Sequence, residues 1–176
     1  QLGTQTLGDA GVTGVFYLIF AVAGHGLNNA MQSVFSSYAG SDESDRFKVI
    51  MAQGIRFSIQ LSICFILATL VLAPFIFSHL AMKDSYPREI SFIRIRIWGL
   101  PFLYLFQMGN AFLVSTLNSR LLVIGFVFEA LSNIILDYLL IFGKAGLPGL
   151  GFNGAAWASV IAELIGMVVE IGRAHV

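Results

Sequence analysis

Long apolar runs alternate with short charged clusters along this chain. Residues 10–41 contain no Asp, Glu, Lys or Arg. At about 1.5 Å per helical residue, that run is long enough to cross a bilayer with room to tilt. The hydropathy pattern predicts helices at about 12–38, 49–77, 90–116, 121–142 and 153–169. The breaks between them carry turn chemistry. In the cluster 41–48, Ser41 or Asp42 can cap the second helix. Tyr86-Pro87 can open the third, since proline suits the first helical position. Pro74 falls near the far end of the second helix, and Pro101 is expected to kink the third. A Gly-rich turn, GKAGLPGLGFNG, separates the last two.

Composition places these runs in lipid. Apolar residues make up 57% of the 176 and charged residues 11%, and mean hydropathy is +0.82. A soluble domain has about 25% charged residues, so the pattern is that of an all-α, multi-pass integral membrane protein. The formal net charge of zero gives no case for nucleic acid. Cys64 has no second cysteine to pair with and reads as a buried, inert thiol in an apolar run. Arg46, Lys48, Arg56 and Arg120 fall on one side of the membrane, and Lys83, Arg88, Arg94, Arg96 and Lys144 on the other, so loop charge does not set orientation. Trp98 reads as an interfacial anchor. The last seven residues, EIGRAHV at 170–176, match one reading frame of a common sequencing-library adapter, and are expected to play no part in function. Residues 1–169 are expected to be one partial transmembrane lobe.

Polar residues inside the spans carry the candidate chemistry. Glu129, Asn133 and Asp137 recur every four residues, which lays a slanted polar track on one helix. From residue 121 they lie about 12, 18 and 24 Å along the axis, all within a hydrocarbon core of about 30 Å. A carboxylate at that depth costs about 2.5–3.5 kcal/mol on insertion scales, so it calls for a function. On the next helix Ser159 and Glu163 are also four apart, and the two helices could enclose one cavity. Such a cluster can hold a small cation with hard oxygens, take up and release a proton, or attract an organic cation. The structural alternative is ordinary buried hydrogen bonding; Arg120 is too far along the helix to pair with Glu129. His25, Asn28, Asn29, Gln32 and Ser36 form a second polar stripe, facing either a cavity or a neighbouring helix. Gln107 and Asn110 lie three apart on the third span. Gly149, Gly151 and Gly154 spell G-x-G-x-x-G, but the preceding membrane helix is the wrong context for a dinucleotide fold. No metal-ligand or nucleophile constellation accompanies His25 or His79, so neither a cofactor nor an enzyme is expected.

The segment from Asn133 through Asp137-Tyr138, then Phe142-Gly143, Gly146-Leu147-Pro148, Leu150-Gly151 and Gly154-Ala155-Ala156-Trp157-Ala158-Ser159, resembles the multidrug and toxic compound extrusion (MATE) transporters. Tyr38-Ala39-Gly40 and Arg96-Ile97-Trp98-Gly99-Leu100-Pro101-Phe102 are similar to the second and fourth helices of that family. The resemblance implies helices two to six of a twelve-helix, two-lobe transporter, with the first helix lying before Gln1. It implies export of cationic or amphipathic compounds by antiport with Na+ or H+, from a bacterial inner membrane, by a monomeric transporter. It places the cation or proton, including a possible Na+, at Asp137 and Asn133 with the hydroxyl of Ser159, and Asn110 in the pocket. Phe92 stands where many members have Tyr. Glu129, Glu163, Gln107, Asn29 and Gln32 are pocket candidates by position alone. A lipid-linked oligosaccharide flippase of related fold, or a non-transporting membrane enzyme or subunit, is the alternative.

Overall fold

A computed structural model describes residues 3–39, 44–80 and 84–173, and its long segments are all helical. Six α-helices and one 3-10 turn follow in order: α1 (Thr4–Tyr38), α2 (Ser44–Leu80), α3 (Tyr86–Arg96), the 3-10 turn (Ile97–Gly99), α4 (Leu100–Ser115), α5 (Ser119–Phe142) and α6 (Phe152–Arg173). Since α3, the turn and α4 are continuous, they make one span, and among the described residues five segments are long and apolar enough to cross a membrane. The helices overrun their predicted ends: α1 begins at Thr4 rather than near 12, and α2 at Ser44 rather than near 49. Hydropathy locates the part of a helix that suits hydrocarbon, whereas backbone hydrogen bonding carries on into polar residues beyond it. Ser41, Asp42 and Lys83 lie outside the described residues.

The third span breaks where its sequence indicated. Tyr86-Pro87 opens α3, and Pro101 sits in the first turn of α4, directly after the 3-10 turn. Proline lacks an N–H and crowds the preceding turn, so the helix tightens into 3-10 geometry there. Pro74, by contrast, is inside α2, which continues to Leu80.

Three apolar clusters run along the bundle. Ala73, Phe77, Ile90 and Ile93 pack at one end, Tyr17, Ile66, Ile97, Leu100 and Tyr104 in the middle, and Phe35, Met108 and Ala111 at the other. The α3–α4 span contributes to every cluster and is the central post, in contact with α1, α2 and α6. At Gly24 α1 comes so close that an added Cβ would lie 2.8 Å from the Tyr104 ring, whose hydroxyl donates to the Phe20 carbonyl at 2.9 Å. Such small-residue contacts are how membrane helices gain packing without a water-driven hydrophobic force. Val15, Ile19, Leu67, Val71, Ile134 and Ile135 are exposed, as suits a lipid-facing surface.

α5 stands at the edge and packs chiefly on α6. The turn between them closes by backbone bonds: Gly143, at φ 65°, caps α5 onto Leu139, and Leu150 and Gly151 donate to the carbonyls of Leu140 and Ile141. A Cβ on Gly143 would meet Gly149 N at 2.6 Å, and one on Gly154 would meet the Leu140 backbone at 2.7 Å. Gly154 of the G-x-G-x-x-G string thus serves close helix approach.

Candidate functional site

The α5–α6 seam brings together the two halves of the polar track. Asn133 Nδ2 donates to Ser159 Oγ at 3.1 Å, which leaves the Asn133 carbonyl oxygen for another ligand. One turn further along α5, Asp137 turns one carboxylate oxygen into a buried position with no hydrogen-bond partner. An unpaired carboxylate oxygen beside an amide and a hydroxyl is the donor set a small hard cation or a proton requires. α5 holds Asn133 and Asp137 at a four-residue step, and the close approach at Gly154 puts Ser159 within reach.

Glu163 departs from its expected place. It is buried in a forked ion pair with Arg96: Arg96 Nη1 donates to Oε2 at 2.8 Å and Nη2 to Oε1. Tyr17 donates its hydroxyl to Oε1 at 3.3 Å, and the Arg96 guanidinium lies 3.7 Å from the centre of the Tyr17 ring. Arg96 is therefore an interior residue rather than a loop charge, because α3 starts at Tyr86 and carries it about 15 Å along the span. Trp98 is exposed just beyond it, on the outer surface of the bundle. Glu129 is partly buried and packs against Gly166, where an added Cβ would lie 3.3 Å from its carboxylate. It joins the α5–α6 seam one turn from Asn133, but Arg96 is already committed to Glu163.

The second stripe makes structural bonds. Asn28 Nδ2 donates to Gln107 Oε1 at 3.1 Å, and Gln107 Nε2 lies within 3.2 Å of His25 Nδ1. Gln107 is thereby tied into the α1–α4 contact. Ser115 donates to the Gln32 backbone carbonyl at 3.1 Å. Asn29 is exposed. Asn110 is buried on α4 with its side-chain oxygen unpartnered. Cys64 is also exposed, contrary to expectation: the apolar surroundings that suggested an interior are on the outer face of α2. Glu170 is buried beside Gly109 with both carboxylate oxygens unpartnered.

Besides the partners of Glu163, sequence reasoning missed two further polar contacts. Arg88 Nε donates to the buried Asp9 at 2.8 Å, and Asn153 donates to Ser91 at 2.9 Å. Asp9 offered a signal, being an acid on a face later shared by Thr13 and Tyr17. The groove of about 490 Å³ between α3 and α6 is lined by Tyr86, Arg94, Trp98 and Trp157 among others, and not by Asn133, Asp137 or Ser159. Among the described residues no three His, Cys, Asp or Glu side chains converge on a metal centre.

Among the described residues five membrane-length helical spans, two of which meet in a polar seam, define a multi-pass integral membrane protein. The chain belongs to the MatE family, whose model matches residues 1–139. It is 26% identical over 172 residues to the probable multidrug resistance protein NorM of Halalkalibacterium halodurans, a match covering 97% of this chain and 38% of that protein. It is 29% identical over 169 residues to the FAD transporter of Shewanella oneidensis, covering 95% and 37%. Its fold is similar to that of an inward-facing multidrug resistance MATE family transporter of the MOP superfamily, with a TM-score of 0.88 at 19% identity over 97% of this chain and 38% of that one. These relatives are transporters and not enzymes. The chain spans just under two-fifths of their length.

Proposed function

We propose that this chain is part of the amino-terminal lobe of a secondary active efflux transporter, and that Asp137, Asn133 and Ser159 bind its coupling Na+ or H+. The observation that carries this reading is the buried, unpartnered oxygen of Asp137 beside the Asn133–Ser159 bond. A negative oxygen kept free of partners at membrane depth is costly unless a cation or proton compensates it. Binding would neutralise the pocket and displace a cationic or amphipathic substrate, and rocking of two lobes would alternate access. The complete transporter would act as a monomer in the bacterial inner membrane.

The flippase alternative needs interior cations to hold a lipid-linked phosphate. The buried guanidinium described here, Arg96, already has both outer nitrogens bonded to Glu163, which favours the antiporter. The test is Asp137→Asn in the full-length protein. Drug resistance and ion-driven uptake in inverted vesicles should disappear, with membrane insertion unchanged. Undiminished uptake would overturn the reading. Collapsing the Na+ gradient and the proton gradient separately in the parent protein identifies the coupling ion.

A further inference from the structure

The Arg96–Glu163 pair makes no hydrogen bond to the Asp137 oxygen, yet its carboxylate shares α6 with Ser159. Its side chains are 13% and 5% exposed. Three spans close on it. α3 supplies the guanidinium, α6 the carboxylate, and α1 the Tyr17 hydroxyl and ring face. The 3-10 turn adds Gly99, where any Cβ would overlap the Glu163 carboxylate and lie 2.6 Å from Arg96 Nη1. A forked guanidinium–carboxylate contact fixes orientation as well as distance, because both bonds must lie in one plane. The carboxylate therefore cannot swing without losing a bond, and α6 cannot turn about its axis without moving the carboxylate.

Ser159 stands four residues before Glu163, about 40° away around the same helix. Any rotation of α6 that strains the fork also moves the Ser159 hydroxyl relative to Asn133, whose amide it accepts at 3.1 Å. On the facing side α5 is held by little besides α6. The rotational setting of α6 consequently decides whether hydroxyl, amide and the Asp137 carboxylate converge.

We propose that Arg96 and Glu163 are positioning residues for the ion site: their buried fork, seated on Tyr17 and Gly99, sets the rotation of α6 and so places the Ser159 hydroxyl. This rests on the reading of Asp137, Asn133 and Ser159 as the cation site.

The test uses the full-length transporter in proteoliposomes and measures uptake against coupling-cation concentration. Glu163→Gln keeps the shape and breaks the charged fork. It should raise the cation concentration for half-maximal transport at least tenfold, while half-saturation by substrate stays within twofold. Ser159→Ala should raise the same cation requirement. Because Glu163 acts through Ser159, the double variant should be no worse than the worse single one, a non-additivity that marks one shared unit. If Glu163→Gln does not reach the membrane, Arg96→Gln/Glu163→Gln leaves no orphan charge and should show the same raised requirement. An unchanged cation requirement would overturn the proposal, as would effects that multiply in the double variant. So would failure of both the single and the neutral pair to insert, since the fork would then hold the fold and not the site. Retained transport by Asp137→Asn would instead remove the site reading itself; an inactive Asp137→Asn beside a normal Glu163→Gln would remove only the positioning role.

Discussion

Ser159 and Asn133 make a neutral hydrogen bond between two helices, and bonds of that kind in membranes average about 0.6 kcal/mol. If Asn133 and Ser159 bind the coupling ion as proposed, the pair matters more to binding than to stability. Ser159→Ala should leave the thermal unfolding midpoint of the purified transporter within about 2–4 °C of the parent, yet raise its cation requirement. Ser159→Thr keeps the hydroxyl and should transport normally. Gly154 has the opposite balance. Its Cβ would press on the Leu140 backbone at 2.7 Å, and backbone cannot yield as a side chain can. Gly154→Val is expected to cost about 1–3 kcal/mol and to part α5 from α6, seen as a lower unfolding midpoint together with lost transport. Cys64 faces outward, so Cys64→Ala should change stability by less than about 0.5 kcal/mol in the same melting assay.

At the scale of elements, the α5–α6 hairpin carries the proposed cation site. Its turn depends on backbone conformation: Gly143 at φ 65° closes α5, and Leu150 and Gly151 donate back to it. Gly143→Ala places a methyl both in a left-handed conformation and 2.6 Å from Gly149 N. The first effect alone costs about 1–2 kcal/mol, and a raised cation requirement should follow as the hairpin loosens. The broken third span serves the hairpin from behind, since its 3-10 turn presents Gly99 to the Glu163 carboxylate. Much of this was legible beforehand. The four-residue steps from Asn133 to Asp137 and from Ser159 to Glu163, the Tyr86-Pro87 start and the Pro101 break are local features, and local spacing expresses them. The partner of Glu163 was not legible, because Arg96 is 67 residues away. A basic residue near the start of a span looks the same in sequence whether it faces headgroups or an acid.

At the scale of the whole molecule, the chain spans 38% of the relative from Halalkalibacterium halodurans. α5 presents much of its apolar surface outward, with Ile134 at 66% and Tyr138 at 56% exposure. A two-lobe alternating-access cycle needs surfaces beyond this chain. Expressed by itself in bacteria, the 176-residue chain should remain with the membrane after alkaline extraction but confer no drug resistance. Resistance conferred by the isolated chain would contradict the two-lobe mechanism.

The sequence alone determined that the chain lives in a membrane, roughly where its five spans lie, and which helix carries a polar track. Those properties follow from transfer free energy and from the 3.6-residue period, both local along the chain. Only the tertiary structure separated the track's members. It joined Asn133 to Ser159 and left an Asp137 oxygen free. It withdrew Glu163 into an ion pair with Arg96, and it turned Cys64 outward. The physical reason is that a buried charge is decided by whatever meets it across the bundle, and helical periodicity carries no information about that partner.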